Sequence, residues 1–304
     1  MPETEAFWDF YWEVRLQELQ NLGKKAAILA ASRLIRQLAA QPDQPVRLLE
    51  LGCGEGQIIG ALVEGHAQVR SIDRSVGVDY IRTSIETCRR RYSGMRFIEG
   101  DFTDPVLLNG LGSFEILLLV NALHEVFSAG YSPALGEVDV APAKHKVEQA
   151  FAGAVERLAP GGYLVLFDGL EMDGDPHEKL RIHFLSRQAH DHFIVFAREY
   201  RPFKITYREI ESGIGIELSR RAFTRYITKS IFLGKSLWQT ERLESYQYFK
   251  ESEFRAAVAR QGLEIRELHT LTVDEDKWNN LVEIETPGAT FPTEHILIIA
   301  QKPD

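Results

Sequence analysis

The sequence predicts an α/β fold, a mostly parallel sheet with helices on both faces. Three observations carry that prediction. Short apolar runs alternate with amphipathic helical stretches from residue 46 to 169. One of the runs, "FEILLLVNAL" (114–123), begins as a near-continuous apolar strand, as expected when both faces are covered. The rhythm breaks after Gly169 and resumes with a helical stretch at 251–262, which marks an insertion into one domain. Repeated β-α units favour parallel pairing, because the crossover helix packs back onto the sheet.

Taken in order, residues 5–40 read as helix. Phe7, Tyr11 and Val14 share one face, and Ile28, Ala31, Ile35 and Leu38 continue a helical stripe. Gly23 divides the stretch, and "QPDQP" (41–45) stops it. Trp8, Tyr11 and Trp12 read as an amphipathic face that packs on the rest of the chain. "VRLLEL" (46–51) is a strand followed by a helix from Gln57 to Glu64, and "QVRSID" (68–73) is a second strand followed by a helix over 78–91. "MRFIEG" (95–100) is the third strand and the run at 114 the fourth. Val147, Ala150, Ala154 and Leu158 mark a helix face, and "GGYLVLFDG" (161–169) is the fifth strand. In the insertion, "FKITYREI" (203–210) alternates like an exposed strand, and "SRRAFTRYITKSIFLG" (219–234) reads as a capped helix ended by Gly234. "LEIRELHTLTV" and "EHILIIAQK" form a closing strand pair, joined by a long loop that contains Trp278. The expected organisation is an N-terminal helical cap (1–45), a main domain (46–169 and 246–304) and an inserted lid or substrate subdomain (170–245) between the fifth strand and the last helix.

Composition narrows the function classes. The 304 residues are 44% hydrophobic and 26% charged, with a formal net charge of −9, which disfavours broad wrapping of nucleic acid. Cys53 and Cys88 are not in a Cys-x-x-Cys pair, so neither a disulfide framework nor a thiolate metal site is expected. The first residues lack the basic and apolar regions of a signal peptide, and no apolar run approaches the ~18 residues of a membrane span. The expected setting is cytoplasmic, away from any membrane.

The chemistry-bearing stretch is "LLELGCGEGQ" (48–57), a strand running into three glycines. The spacing of Gly52, Gly54 and Gly56 is G-x-G-x-G, which departs from the dinucleotide pattern G-x-G-x-x-G, and no Lys-Ser/Thr follows as in a phosphate loop. Glu50 precedes the glycines. Asp73, placed at the end of the second strand and 17 residues after Gly56, could accept from both hydroxyls of a ribose. Asp101-Phe102 follows the third strand, where a carboxylate could accept from an adenine amino group beside an aromatic ring. Each alone reads as a turn or core residue; together, at successive strand ends, they describe an adenosine pocket.

These stretches resemble the class I S-adenosylmethionine-dependent methyltransferases. "LLELGCGEG" is similar to the superfamily's E/D-x-G-x-G-x-G motif, "SIDRS" to its ribose-binding acidic segment, "EGDF" to its adenine-contacting segment, and "LAPGGYLVLFD" to the turn into its fifth strand. The resemblance covers about 46–169 and 249–303. It implies a seven-stranded sheet with an antiparallel last strand and S-adenosyl-L-methionine as cofactor. It implies that Glu50, Gly52, Cys53, Gly54, Gly56, Asp73, Arg74, Asp101, Phe102, Asn121 and Ala122 surround that cofactor. The glycines would then permit close backbone approach to the methionine half rather than capture a phosphate.

Beyond the fourth strand comes "NALHEV". "LHE" resembles the Leu-His-Asp segment of small-molecule O-methyltransferases and makes His124 a candidate general base, with Glu125 a weaker candidate for orienting it. "HDH" (190–192) has the wrong spacing for two ligands on one helix face, so no metal is expected and a solvated face is. The expected function is methyl transfer to an oxygen or nitrogen of a small molecule, of the kind found in natural-product biosynthesis. An RNA or protein acceptor and a non-catalytic partner subunit are the alternatives, and a homodimer is compatible with the sequence.

Overall fold

The structure is a computed structural model that describes residues 23–41, 44–210, 214–272 and 275–304. Trp8, Tyr11 and Trp12 lie outside the described residues. Helix α1 (23–39) opens the described chain at Gly23, where an added Cβ would stand 2.5 Å from the Phe167 ring. Ala27, Ala31, Leu34, Ile35 and Leu38 bury its inner face.

Seven strands form the main sheet. Strands β1 (Leu48–Leu51), β2 (Val76–Asp79), β3 (Arg96–Glu99), β4 (Phe114–Val120) and β7 (Leu158–Gly169) pair in parallel; β13 (Thr293–Gln301) runs antiparallel between β7 and β11 (Glu264–Thr272). The order across the sheet is β11-β13-β7-β4-β1-β2-β3. A short helix, α4 (Pro105–Asn109), precedes β4, and a two-stranded hairpin, β5 (Tyr131–Ser132) and β6 (Glu137–Val138), precedes α6 (Val140–Val155). Strand β4 shows why its sequence is apolar throughout. Ile116, Leu118 and Val120 face α1, α2 (Gln57–Gly65) and α3 (Arg82–Arg91), whereas Leu117 and Leu119 face the opposite core. That second core takes in α6, α10 (Glu251–Arg260) and the inserted segment.

The second strand departs from the prediction. Residues 68–73 form no strand. Val69, Ile72 and Ser75 donate to His66, Val69 and Ile72 carbonyls in successive tight turns, with a 3-10 turn at Ile72–Arg74. The strand is "VGVD" instead, and α3 starts at Arg82 rather than 78. Gly77 disguises it. A side chain there would meet Phe97 at 2.7 Å and the Cys53 sulfur at 3.0 Å, so close packing, not a turn, demands the glycine.

The insertion contributes β8 (Lys179–Phe184), α7 (Arg187–Glu199), β9 (Tyr207–Ile210), β10 (Gly215–Ser219), α8 (Arg220–Lys229) and α9 (Trp238–Glu241). Ser219 caps α8 by accepting from the Ala222 amide, and Gly234 takes a φ of +80° just beyond the following 3-10 turn. The long loop before β13 is partly ordered structure: α11 (Glu275–Trp278) and β12 (Val282–Ile284). Strand β12 pairs antiparallel with β8 and completes a four-stranded sheet, order β12-β8-β10-β9. Trp278 is fully buried against the edge of the Tyr226 ring. The expected solvated face at 190–192 is also overturned. His190 is buried edge-on to Phe184, and His192 lies beside Tyr226, because α7 packs between two layers.

Candidate active site

The carboxyl ends of β1, β2, β3 and β4 converge, and the loops there hold the polar groups. Gly52, Gly54 and Gly56 all have positive φ, +74°, +50° and +72°, so the loop reverses in the left-handed region that a side chain would strain. The Gly52 and Cys53 amides both donate to the Val78 carbonyl, at 2.9 and 3.0 Å. A side chain at Gly52 would press on the Ala122 methyl, 2.8 Å away, which ties the loop to the end of β4. The Cys53 side chain turns inward, under the loop. Its thiol and that of Cys88 both face the Gly54 carbonyl, and burial pushes both thiols up, Cys88 to about 11. Cys53 therefore presents backbone, not sulfur, to the outer side of the loop.

Glu50 is 2% exposed and accepts from the Ile59 amide at 3.0 Å. Burial pushes its carboxyl up to about 8, against the pull of that amide and of Lys24. Lys24 itself bonds Gln57, and its own burial lowers its pKa. Glu50, Lys24, Gly52, Gly54, Gln57 and Asn121 surround a small polar recess. Asn121 has a φ of +53°, the conformation that lets β4 end sharply above the loop.

Asp79, not Asp73, is the acidic residue at the carboxyl end of β2. Its two oxygens accept from Gly54 and Ile81 amides, both at 2.8 Å. A carboxylate offers about four acceptor positions, so two remain for hydroxyls. Asp73 and Arg74 are exposed in the 3-10 turn that precedes β2, at the opposite, amino edge of the sheet. "SIDRS" is a connector there. The signal for the correct residue was the apolar pair Val76 and Val78 leading directly into Asp79.

Asp101 and Phe102 follow β3 as expected. Asp101 is exposed and accepts from the Thr103 amide with one oxygen, and Phe102 is buried. They border a cavity of about 500 Å³ that Tyr80, the residue after β2, also lines. Ala122, Glu125, Val126 and Ala129, at helical spacing along α5 (Leu123–Ser128) and its ends, form another wall, and Lys146 and Gln149 of α6 close the far side.

His124 points away from this cavity. It is 2% exposed, and its Nδ1 lies 2.7 Å from the Asp168 carboxylate at the end of β7. The other oxygen of Asp168 accepts from the Leu123 amide at 2.8 Å, so the pair fastens the start of α5 to β7. Nε2 faces Glu244 at 3.7 Å. Glu244 in turn lies 3.4 Å from the fully buried Lys229 ammonium, which also bonds Glu241 at 2.6 Å and sits 3.6 Å above the Tyr246 ring. Burial alone would lower the imidazole's pKa; Asp168 and Glu244 more than reverse that and raise it to about 10. Buried, held by Asp168 and turned away from the cavity, the imidazole joins α5 to β7 instead of facing an acceptor, so the general-base expectation for His124 is corrected to a structural one. Glu125, the next residue, is half-buried on the cavity wall, and burial pushes its carboxyl up to about 7. It does not orient His124; it faces another way.

The site fits the expected cofactor. The Gly52 contact allows close backbone approach, the Glu50 recess suits an ammonium, Asp79 has acceptor positions for ribose hydroxyls, and Asp101 borders the adjoining cavity beside Phe102. S-adenosylmethionine supplies an activated methyl group. Among the described residues no group of three His, Cys, Asp or Glu could hold a metal ion.

The family model described as a methyltransferase domain matches residues 42–177. No curated protein matches the chain. Similar solved structures include CalS10 of Micromonospora echinaspora, an amino pentose methyltransferase of calicheamicin biosynthesis with S-adenosylmethionine bound. It is 17% identical, covers 95% of this chain and 97% of its own, and has a TM-score of 0.43. The N-methyltransferase NodS of Bradyrhizobium japonicum is 11% identical over 92% of this chain and 98% of its own, TM-score 0.41. An O-methyltransferase family 2 protein from Planctomyces limnophilus, in complex with apigenin, is 13% identical over 92% of this chain and 61% of its own, TM-score 0.42. Likenesses this distant carry no argument about chemistry. The domain match does, together with the strand order and the loop geometry: residues 42–177 are a methyltransferase domain of the class I superfamily, and the protein is an S-adenosylmethionine-dependent methyltransferase.

Proposed function

We propose that the enzyme transfers a methyl group to an oxygen or nitrogen of a small molecule. The observation that carries this reading is a cavity of about 500 Å³ whose Asp101–Phe102 end is given to the adenine and whose Glu125, Val126 and Ala129 wall leaves room only for a compact acceptor, within the range of small-molecule pockets. A net charge of −9 gives no broad cationic surface for a nucleic acid. In this reading Glu50, Asn121 and the backbone of Gly52, Cys53 and Gly54 hold the methionine end of the cofactor. Asp79 takes the ribose hydroxyls, Asp101 and Phe102 take the adenine, and Ala122 packs between the two ends. Gly56 shapes the loop and lies against Cys88 and Phe97. The inserted segment reaches the start of α5 through Glu244, which faces the His124 ring behind the cavity wall. Two free buried thiols suit a reducing compartment, and no helix among the described residues is long and apolar enough to cross a membrane. We place the enzyme in the cytoplasm on that basis.

The test is fractionation of the methylated product. Purified enzyme and cofactor labelled on the methyl group are incubated separately with low-molecular-mass extract, total RNA and total protein. Label is expected in the low-molecular-mass fraction. Label confined to RNA or protein, with steep salt dependence for RNA, would overturn the reading.

A further inference from the structure

With His124 locked between two carboxylates, the reaction is left without the base that "LHE" suggested. The cavity wall offers another. Ala122, Glu125, Val126 and Ala129 occupy one face of α5 and its ends, and all four line the same cavity as Tyr80, Asp101 and Phe102. Ala122 also touches the glycine loop through the close approach at Gly52. Glu125 is therefore three residues, one helical turn, from the contact that brings β4 against the loop. Neighbouring positions on a helix point about 100° apart, so burying His124 toward Asp168 turns Glu125 outward to the cavity. Among the described residues its carboxylate makes no hydrogen bond, unlike Asp79, Asp101 and Asp168, each of which accepts from a backbone amide.

We propose that Glu125 is a catalytic residue on the acceptor side, the carboxylate that receives the proton of the attacking hydroxyl or amine. The proposal rests on the small-molecule O- or N-acceptor reading above. The acceptor's lone pair forms the new bond to the methyl carbon. The carbon–sulfur bond breaks and its electron pair stays on sulfur. The proton released by the acceptor goes to Glu125 and from there to water. The charged or titratable groups facing Glu125 are His124 on its own helix, Asp79 and Tyr80 at the end of β2, Asp101 after β3, Asp168 at the end of β7, Glu244 and Tyr246 after α9, and Lys146 across the cavity on α6. His124 favours the charged carboxylate, while burial and the surrounding acids oppose it and hold the group near about 7, where it can accept and release a proton at neutral pH. The locked His124 and its partners thus act on the reaction through Glu125.

Sinefungin tests the proposal without knowledge of the acceptor. In this analogue an amine-bearing carbon replaces the methyl-sulfonium, so a cation stands where the methyl group leaves. Its affinity is compared by calorimetry with that of S-adenosylhomocysteine, which is neutral at that point, between pH 6 and 8. The wild-type enzyme is expected to prefer sinefungin by about tenfold at pH 8, as a close charge pair can provide, with the preference shrinking toward pH 6. Glu125→Gln should abolish the preference and its pH dependence while S-adenosylhomocysteine affinity stays within about twofold. Glu125→Asp should retain part of the preference. A preference that is independent of pH in the wild type, or equal in wild type and Glu125→Gln, overturns the assignment. The wild-type pH series reads the same group should a variant not fold. Failure of the wild type to bind either ligand would instead strike at the cofactor site, so the two readings fail separately.

Discussion

At the scale of single residues, the exchange of Asp73 for Asp79 has the largest functional consequence. Both are aspartates near β2, yet they lie at opposite edges of the sheet, and ligands of open α/β sheets bind beyond the carboxyl ends of the strands. Asp79 also fastens the glycine loop through the Gly54 amide. Asp79→Ala should therefore weaken S-adenosylhomocysteine binding by about 1–3 kcal/mol, the cost of leaving polar partners unpaired. Asp73→Ala should leave it unchanged, since that side chain is exposed in a connector. Calorimetry on the two variants checks both halves, and equal losses would reject the assignment. The positions of the glycines, Glu50, Asp101 and Phe102 were legible because they lie at, or in the loop directly after, a strand end that the apolar runs reveal. Asp79 was not, because Gly77 interrupts the run of β-branched residues that announces a strand.

At the scale of elements, α7 shows a helix whose titration opposes that of α5. Burial pushes the His192 ring down to about 4, against roughly 6.5 in an unfolded chain. A neutral ring in the folded state stabilises the protein fully above about pH 6.5, and that contribution is lost as the pH falls through about 4. The full difference amounts to about 3 kcal/mol. His124 has the opposite sign: its pKa is raised to about 10, so its contribution is complete below about pH 6.5 and is lost as the pH rises through about 10. Urea unfolding of His192→Phe and wild type between pH 4 and 7 should show a shallower acid loss in the variant. Parallel curves would show that the ring is not buried neutral. Sequence periodicity misread this helix because it reports polarity along one element. It carries no information on the β8–β10 sheet and α8 that cover α7.

At the scale of the whole molecule, the insertion and the main sheet share one core. Leu164 and Leu166 of β7 belong to the same apolar cluster as Leu180, Phe184, Phe193, Phe223 and Tyr226. Buried charges follow the same route, from Lys229 through Glu244 and His124 to Asp168. Arg225, buried 3.5 Å from the centre of the Phe203 ring, adds a further tie within the insertion. Replacing residues 170–245 by a short Gly/Ser linker would expose one whole face of that cluster and leave the His124–Asp168 pair without Glu244. The shortened chain should lose its near-ultraviolet circular dichroism and bind a hydrophobic dye, the signature of lost packing. Cooperative unfolding with retained cofactor affinity would show instead that 46–169 and 246–304 fold alone.

The sequence by itself determined the layered α/β architecture, the glycine loop and the polar residues that follow β1 and β3. All three rest on local pattern: strand-length apolar runs, G-x-G-x-G after an acidic residue, and polar residues at strand ends. Only the tertiary structure decided which way neighbouring side chains face. "His-Glu" at 124–125 carries two residues able to serve as a base, and nothing in the local spelling ranks them. Packing of α5 against β7 does, because Asp168 draws the imidazole inward and leaves the Glu125 carboxylate on the cavity wall. The same holds for β12, whose three residues read as loop until β8 supplies the hydrogen bonds that make them a strand. Direction and pairing are set by contacts distant along the chain, and those contacts exist only once the chain has folded.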